Sequence, residues 1–302
     1  MAIGDLYEVD YPSVSDVYYL DTGMYDAEAY GALYIVDAPE PAVIDTGMGT
    51  HVDNTVAALD TLGIDAPTYI VPTHVHLDHA GGAGYLAAEY PDATVVCPDL
   101  GVRHLVDPSR LWAGTKAAVG KQIEFYREPK PIPEERIRSV SGGDELDLGD
   151  RALDVYDAPG HAPHQAVFHS PDDDATFVAD AAGIWAESAK AVRPTSPPSN
   201  FDLERCLADV QTLRDLDPAV LMYAHYGPTA TGNKLDRYER VLTDWVRLVE
   251  ATREEYEDDD AVVEAVASEV EVVEPWSERK VYEEAAMNVR GVLRYLDERG
   301  DE

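Results

Sequence analysis

The chain has 302 residues, with 59 acidic against 23 basic side chains, a formal net charge of -36 and a pI near 4.3. Hydrophobic residues make up 45% of it, which excludes an acidic disordered protein and places the charge on a folded surface. The scarcity of Lys and Arg argues against a nucleic-acid partner, and no apolar run approaches membrane-spanning length.

The cysteine usage and the N-terminal residues bear on the cellular compartment. Cys97 and Cys206 lie far apart and form no paired motif. The N-terminus lacks a basic region followed by an apolar one, as a secretory signal would have. These features predict a soluble cytoplasmic protein whose cysteines are buried thiols.

Short strands and helices alternate over the first hundred residues. Strand-like runs bounded by Asp, Gly and Pro occur at residues 17–20, 30–36, 42–44, 68–72 and 94–96. Apolar spacing predicts helices at 53–62, ending at Gly63, and at about 84–90. This rhythm predicts an α/β protein.

The segment 73–79, Thr-His-Val-His-Leu-Asp-His, follows an apolar run directly. It offers imidazoles and a carboxylate, the ligand types of zinc and its neighbours, at His74, His76, Asp78 and His79. On an extended or tightly turning segment, successive side chains face different sides, so one loop can serve two adjacent metal ions. Three isolated histidines are interpreted as ordinary surface or core residues: His51, His104 and His169.

Residues 100–138 break the alternation and predict an amphipathic, helical insertion. The segment is locally basic and aromatic, through Arg103, Arg110, Trp112, Lys116, Lys121, Tyr126 and Arg127. Two interpretations stay open. Either Trp112 and Tyr126 pack the insertion onto the core, or the insertion is a lid that recognises an anionic or polar substrate.

Three later strand-like runs lead to further potential ligands. The run 152–156 precedes a Pro-Gly turn with His161, the run 176–179 precedes Asp180, and the run 219–224 precedes His225. Other strands are predicted at 145–148 and 165–169. Strand ends are where loops converge on a rigid framework, so these side chains are expected to meet.

The C-terminal part has helical spacing from about residue 234 and again at 277–299. We therefore predict a catalytic domain at residues 1–232 and a helical subdomain at 233–302. The helices either pack on the core, which the amphipathic pattern favours, or form a homodimer face.

The order His-x-His-x-Asp-His, His, Asp, His resembles that of the metallo-β-lactamase fold superfamily. Asp45, in Val-Ile-Asp-Thr-Gly, matches the first motif of that family, and the resemblance covers roughly residues 15–230. The closest likeness is to the glyoxalase II-like branch, through Thr-His-x-His-x-Asp-His-x-Gly-Gly and Ala-Pro-Gly-His. The resemblance implies a four-layer αββα sandwich, an α/β (α+β) fold.

The resemblance also implies a ligand set for two divalent ions, zinc first and iron or manganese as alternatives. One ion takes His74, His76 and His161, the other takes Asp78, His79 and His225, and Asp180 bridges them. Asp45 is implied to support the loop without ligating.

The implied reaction is hydrolysis of a small acyl thioester, ester or lactone by a hydroxide that bridges the two ions, as in hydroxyacylglutathione hydrolases. Asp78 would orient the hydroxide or pass its proton to the leaving group. Five side chains are candidates for substrate contact: Trp112, Lys116, His164, Trp185 and Arg193.

Other functions fit the same pattern. An iron-dependent redox enzyme such as a persulfide dioxygenase would use a subset of these ligands, although diiron flavoproteins typically carry Glu where this chain has His76. A phosphodiesterase or nuclease would need a cationic track. The chain also departs from glyoxalase II after Asp180, where no basic thiol-binding cluster is identified.

The acidic excess predicts adaptation to a salt-rich cytosol. In molar potassium chloride the Debye length shrinks to about 3 Å, so repulsion among surface carboxylates is screened. We expect the thermal unfolding midpoint, followed by circular dichroism, to rise from dilute buffer to molar salt. A midpoint that falls over this range would contradict the halophilic interpretation.

Overall fold

The computed structural model describes residues 2–300, so residues 1, 301 and 302 of the predicted domains lie outside it. Within this range the strands are β1 Leu6–Glu8, β2 Val17–Asp21, β3 Ala32–Val36, β4 Ala42–Ile44, β5 Tyr69–Val71, β6 Thr94–Pro98, β7 Ile137–Val140, β8 Glu145–Asp147, β9 Ala152–Asp157, β10 Ala166–Ser170, β11 Ala175–Ala179, β12 Ile184–Ala186, β13 Ala191–Arg193, β14 Val220–Tyr223 and β15 Gly227–Ala230. The helices are α1 Val52–Leu62, α2 Leu77–Ala80, α3 Ala83–Glu89, α4 Val102–Val106, α5 Ser109–Val119, α6 Leu203–Leu216, α7 Lys234–Arg253, α8 Asp259–Ala267 and α9 Glu278–Gly300.

The strands form two large sheets and one hairpin. The first sheet has the order β1 to β7, antiparallel up to β4 and parallel from β4 onward. The second has the order β15-β14-β11-β10-β9-β8, with one parallel pair, β11 and β14. The strands β12 and β13 pair only with each other among the described residues.

Alternating side chains put the two sheets face to face. On β3, Tyr34 and Val36 join the core between the sheets, while Leu33 and Ile35 pack with the outer helices α1 and α3. In the second sheet, Phe168 faces inward and Val167 packs with the helices of the C-terminal half. The predicted αββα sandwich is therefore confirmed, with extra helices at the C-terminal end.

The predicted insertion ends differently from expectation. Its first part is helical, as α4 and α5, but residues 137–140 form β7, which pairs in parallel with β6 at the edge of the first sheet. The prediction missed this strand because an edge strand has a half-exposed, weakly apolar sequence, here Ile-Arg-Ser-Val.

Besides the single turn of α2, the helices α6 and α8 escaped the sequence patterns, and both begin at an aspartate cap. The carboxylate of Asp202 accepts from the Arg205 N–H at 2.9 Å at the start of α6. At the start of α8, the carboxylate of Asp258 accepts from the Asp260 N–H. Because Asp258 lies in a run of acidic residues, the apolar spacing of this helix was not recognised in the sequence. The C-terminal helices α7, α8 and α9 share one apolar cluster with the second sheet. The division at residue 232 stays a prediction.

Two further expectations can be compared with the structure. Cys97 and Cys206 are buried free thiols, as predicted. Of the helices formed by residues 2–300, none combines the length and apolarity that a bilayer crossing requires.

Candidate metal centre

The predicted ligands come from four loops at one edge of the sandwich. His74, His76, Asp78 and His79 lie between β5 and the end of α2, His161 lies between β9 and β10, Asp180 follows β11, and His225 follows β14. The parallel pairs β4–β5 and β11–β14 bring Asp45 and these loops to the same edge. Segments as far apart in the chain as Asp45 and His225 thus meet because neighbouring strands end together.

Three imidazoles meet at one end of this cluster. The Nε2 atom of His74 lies 3.0 Å from Nδ1 of His76, which lies 3.1 Å from Nε2 of His161. One atom from each of these side chains falls within 4.8 Å of the others, close enough to share one ion.

A second group lies beside the first. The Nε2 atoms of His79 and His225 each lie 3.8 Å from Oδ2 of Asp78, and these three residues also form a set within 4.8 Å. His76 and Asp78 are partly exposed, whereas the other donors are buried, so the centre opens to solvent at these two residues.

Asp180 lies between the two groups. Its Oδ2 atom is 3.0 Å from Nε2 of His79, 3.6 Å from Nε2 of His74 and 3.8 Å from Nε2 of His161. Its Oδ1 atom is 3.6 Å from Nε2 of His225. The carboxylate is 2% exposed and contacts imidazoles of both groups.

In four of the histidines, the ring nitrogen Nδ1, which points away from the centre, lies close to a polar group. Nδ1 of His79 donates to Oδ2 of Asp45 at 2.9 Å, and Nδ1 of His225 donates to the Tyr30 carbonyl at 3.3 Å. The hydroxyls of Thr73 and Thr195 lie 3.2 Å from Nδ1 of His74 and His161, respectively. Such partners fix the ring orientation and leave Nε2 with a lone pair for a metal.

This arrangement fits a cation. Ring nitrogens of three neighbouring imidazoles face one another at hydrogen-bond distance, and an ion placed between them could be coordinated by all three. In addition, Oδ2 of Asp180 is buried and accepts no hydrogen bond from the part of the chain that the structure describes. Nitrogen and carboxylate donors are the set that zinc, iron and manganese accept.

The electrostatics of the centre also favour positive charge. Burial lowers the pKa of His79, but Asp45, Asp180 and Asp78 outweigh it and hold that pKa well above its usual value. Burial lowers the pKa of His161 to about 3, because the nearby charges do not compensate. The carboxylates therefore call for a cation at the His79 end, which a proton or a metal ion can provide.

Two non-glycine residues of the site adopt left-handed backbone conformations. Asp45 has φ of 61° and Ala179 has φ of 48°. The strand β11 shifts register against β14 at Ala179, and this bulge turns Asp180 toward the histidines. Backbone strain of this kind is common where a side chain must be aimed.

The candidate substrate residues divide into two sets. His164 lies beside the centre, with its ring 5.3 Å from that of His76. Trp112 and Lys116 lie together on α5, with the Lys116 ammonium 4.5 Å from the Trp112 ring, and α5 contacts α2 and α9.

Trp185 and Arg193 direct their side chains elsewhere, although the Trp185 backbone N–H donates to the His225 carbonyl at 2.5 Å. The Trp185 ring is buried in the core of the second sheet, because alternation on β12 turns Ile184 and Ala186 toward the site instead. Arg193 donates to the Glu271 carbonyl at 3.0 Å and faces Trp276. Contact of these two side chains with substrate stays a prediction.

Thr195 and Tyr30 were missed by sequence reasoning. Thr195 lies in a Pro-rich loop and Tyr30 at a strand start, and neither position carries a recognisable motif. Tyr25 and Tyr126 also adjoin the centre, with their hydroxyls 2.5 Å apart. Burial, and then the charge of Asp78, raises the pKa of Tyr25 well above its usual value, so its hydroxyl stays neutral.

Comparisons with known proteins agree with this geometry. The family model described as the Metallo-beta-lactamase superfamily matches residues 32–225, which include Asp45 and every predicted donor. A metallo-beta-lactamase fold-containing protein of Sulfurisphaera tokodaii is 28% identical over 193 residues, covering 61% of this chain and 68% of the relative.

Two further comparisons bear on the branch of the superfamily and on the fold. A hydroxyacylglutathione hydrolase of Ruegeria pomeroyi is 30% identical over 173 residues, covering 57% of this chain and half (50%) of the relative. The structure of an archaeal metallo-beta-lactamase superfamily protein from Sulfolobus tokodaii superposes with a TM-score of 0.71 at 20% identity, covering 93% of this chain and 99% of the other. At that identity the superposition shows the fold alone.

Asp45→Asn tests the support of His79. The carboxylate of Asp45 accepts from His79 and also from the Thr73 N–H and hydroxyl, both at 2.8 Å. In asparagine only the amide oxygen accepts a hydrogen bond, so the NH2 group of the variant would face one of these donors. We expect divalent-metal affinity, measured by chelator competition, to fall about 10- to 100-fold. The exposed Asp53→Asn is the control, and equal affinity in the two variants would contradict the assignment.

Asp209→Asn tests the support of the His161 loop. Asp209 on α6 is 4% exposed and accepts from the Gly160 N–H at 2.7 Å. Burial raises the pKa of Asp209 to about 7, above the roughly 3.9 of an unfolded chain. The folded state therefore favours the protonated acid, and stability is lost as pH rises through this interval.

Asparagine keeps an acceptor oxygen and carries no charge. We expect the variant to gain free energy of unfolding over the wild type progressively from pH 5 to pH 8, measured by urea denaturation. Asp215→Asn, which removes an exposed carboxylate from the same helix, is the control. A constant difference across this pH range would contradict the prediction.

Proposed function

Because this chain belongs to the metallo-β-lactamase superfamily, we propose that it is a metal-dependent hydrolase that holds two divalent ions and cleaves a small acyl thioester, ester or lactone. The observation that carries the proposal is Asp180, a buried carboxylate that contacts imidazoles of both donor groups. Similarity to hydroxyacylglutathione hydrolases supports an acyl substrate.

The proposed ligands are His74, His76 and His161 for one ion, Asp78, His79 and His225 for the other, and Asp180 for both. Bound divalent ions would supply a water of lowered pKa and an electrophile for the substrate oxygen. The protein residues hold these ions and exclude water on the buried side. Asp78, partly exposed and 3.8 Å from two imidazoles, is positioned to take a proton from the water and deliver it to the leaving group.

The insertion supports the substrate side of the proposal. It covers the ligand-bearing α2 through α5, and the buried Nε1 of Trp112 has no acceptor within residues 2–300. We propose this N–H group and the Lys116 ammonium as contacts for a polar or anionic acyl group. The overall acidity disfavours a phosphodiester polymer, because its phosphates need clustered cations.

The test is metal analysis of the protein purified in molar salt, followed by assays with acyl thioesters, lactones and phosphodiesters. Two zinc or manganese ions per chain with acyl turnover are the expected result. One iron per chain, with oxygen consumption and no hydrolysis, would reject the proposal in favour of the redox alternative.

Asp180→Asn separates the bridging role from general stability. The amide keeps the size of the side chain but removes its charge and one acceptor. Since loss of an outer partner already costs about 10- to 100-fold, we expect at least about 100-fold loss of kcat/KM together with lower metal content. The exposed Asp172→Asn, near the start of β11, is the control, and full activity in Asp180→Asn would remove Asp180 from the centre.

A further inference from the structure

The helix α9 carries an unusual buried stripe. Lys280, Glu284 and Asn288 are 6%, 7% and 3% exposed and follow one another at intervals of four, which places them on one face of the helix. Gly291 continues that face. Buried polar side chains are costly unless they are partnered, so the partners of this stripe are informative.

At the C-terminal end of this stripe, α9 contacts the loop that supports His161. Oδ1 of Asn288 accepts from the Ser196 N–H at 2.6 Å, and the Asn288 carbonyl accepts from the Ser196 hydroxyl at 3.0 Å. A Cβ atom at Gly291 would lie 1.9 Å from the Ser196 carbonyl oxygen, so the contact requires glycine. The next residue back, Thr195, places its hydroxyl 3.2 Å from Nδ1 of His161.

At the N-terminal end of this stripe, α9 contacts Tyr30, the residue that supports His225. The Lys280 ammonium donates to Glu284 at 2.6 Å and lies 3.8 Å from the Tyr30 ring. Burial raises the pKa of Glu284, but the Lys280 ammonium and the nearby Tyr30 hydroxyl together hold it below its usual value. Tyr30 in turn accepts from His225 through its carbonyl and packs its ring 5.0 Å from the imidazole.

We propose that α9 is a positioning element of the metal centre, with Asn288 orienting His161 through Ser196 and Thr195, and the Lys280–Glu284 pair orienting His225 through Tyr30. The proposal rests on the two-metal function above. The two contacts support histidines of different donor groups. The part of α9 between them is a rigid helix that rises about 1.5 Å per residue. Docking of α9 would therefore orient one histidine of each donor group at the same time.

Two pairs of variants test the proposal. Asn288→Leu removes the acceptor for Ser196, and Asn288→Asp keeps it. Lys280→Met/Glu284→Leu removes the charged pair that packs against Tyr30, and Lys280→Met/Glu284→Gln keeps a polar oxygen near the Tyr30 hydroxyl while leaving no unpaired charge. The buried Leu293→Ala, on the same helix, is the control for simple loss of packing.

The readouts are stepwise Co²⁺ affinity by chelator competition and the visible spectrum of the Co²⁺ protein, both in molar salt. We expect each acceptor-deleting variant to lose about 10- to 100-fold in affinity for one ion and to alter the spectrum. The acceptor-keeping partners should restore both readouts. Leu293→Ala should lower the unfolding midpoint and leave affinity unchanged.

A double-mutant cycle identifies the route. In a His161→Ala background, Asn288→Leu should have no further effect on affinity, whereas Lys280→Met/Glu284→Leu should retain its effect. Additive losses in that background, or an Asn288→Leu affinity equal to that of Leu293→Ala, would overturn the proposal. A wild-type protein that binds no divalent metal overturns this inference and the proposed function together. One that binds two ions but hydrolyses no acyl substrate overturns the proposed function alone.

Discussion

The buried carboxylate of Asp180 is the constraint on which the centre depends. It is 2% exposed, lies within 4 Å of four imidazoles, and receives no hydrogen bond at Oδ2 from residues 2–300. A buried charge of this kind must be compensated, and imidazole lone pairs cannot do so. The remaining features hold the imidazoles in this arrangement: the bulge before Asp180, the carboxylate of Asp45 and the threonine hydroxyls.

Much of this could be predicted from sequence because the informative residues are local. The donors of segment 73–79 are close in the chain, and His161, Asp180 and His225 each follow an apolar run, so strand geometry alone brings them together. The partners behind the histidines have no such signal. His225 and Tyr30 are 195 residues apart, and Ser196 and Asn288 are 92 apart, and hydrogen bonds at such separations are set by packing.

Trp185 and Arg193 show that closeness in sequence does not fix the direction of a side chain. Both follow Asp180 within a short loop, which suggested contact with substrate. The hairpin of β12 and β13 instead alternates its side chains, so that Ile184 and Ala186 face the centre and Trp185 faces away. A shift of one residue along a strand exchanges its two faces, and a single sequence with short strands does not reveal which face is which.

The position of α9 along the chain has a consequence for biosynthesis. All the proposed donors have been synthesised once His225 has been added, but Glu284 and Asn288 are still more than 50 residues away. A nascent chain at that stage holds donors whose orientation is not yet set, and it would exchange metal readily with its surroundings. Under the proposed role of α9, selection of the metal follows synthesis of the donors and is completed when α9 docks.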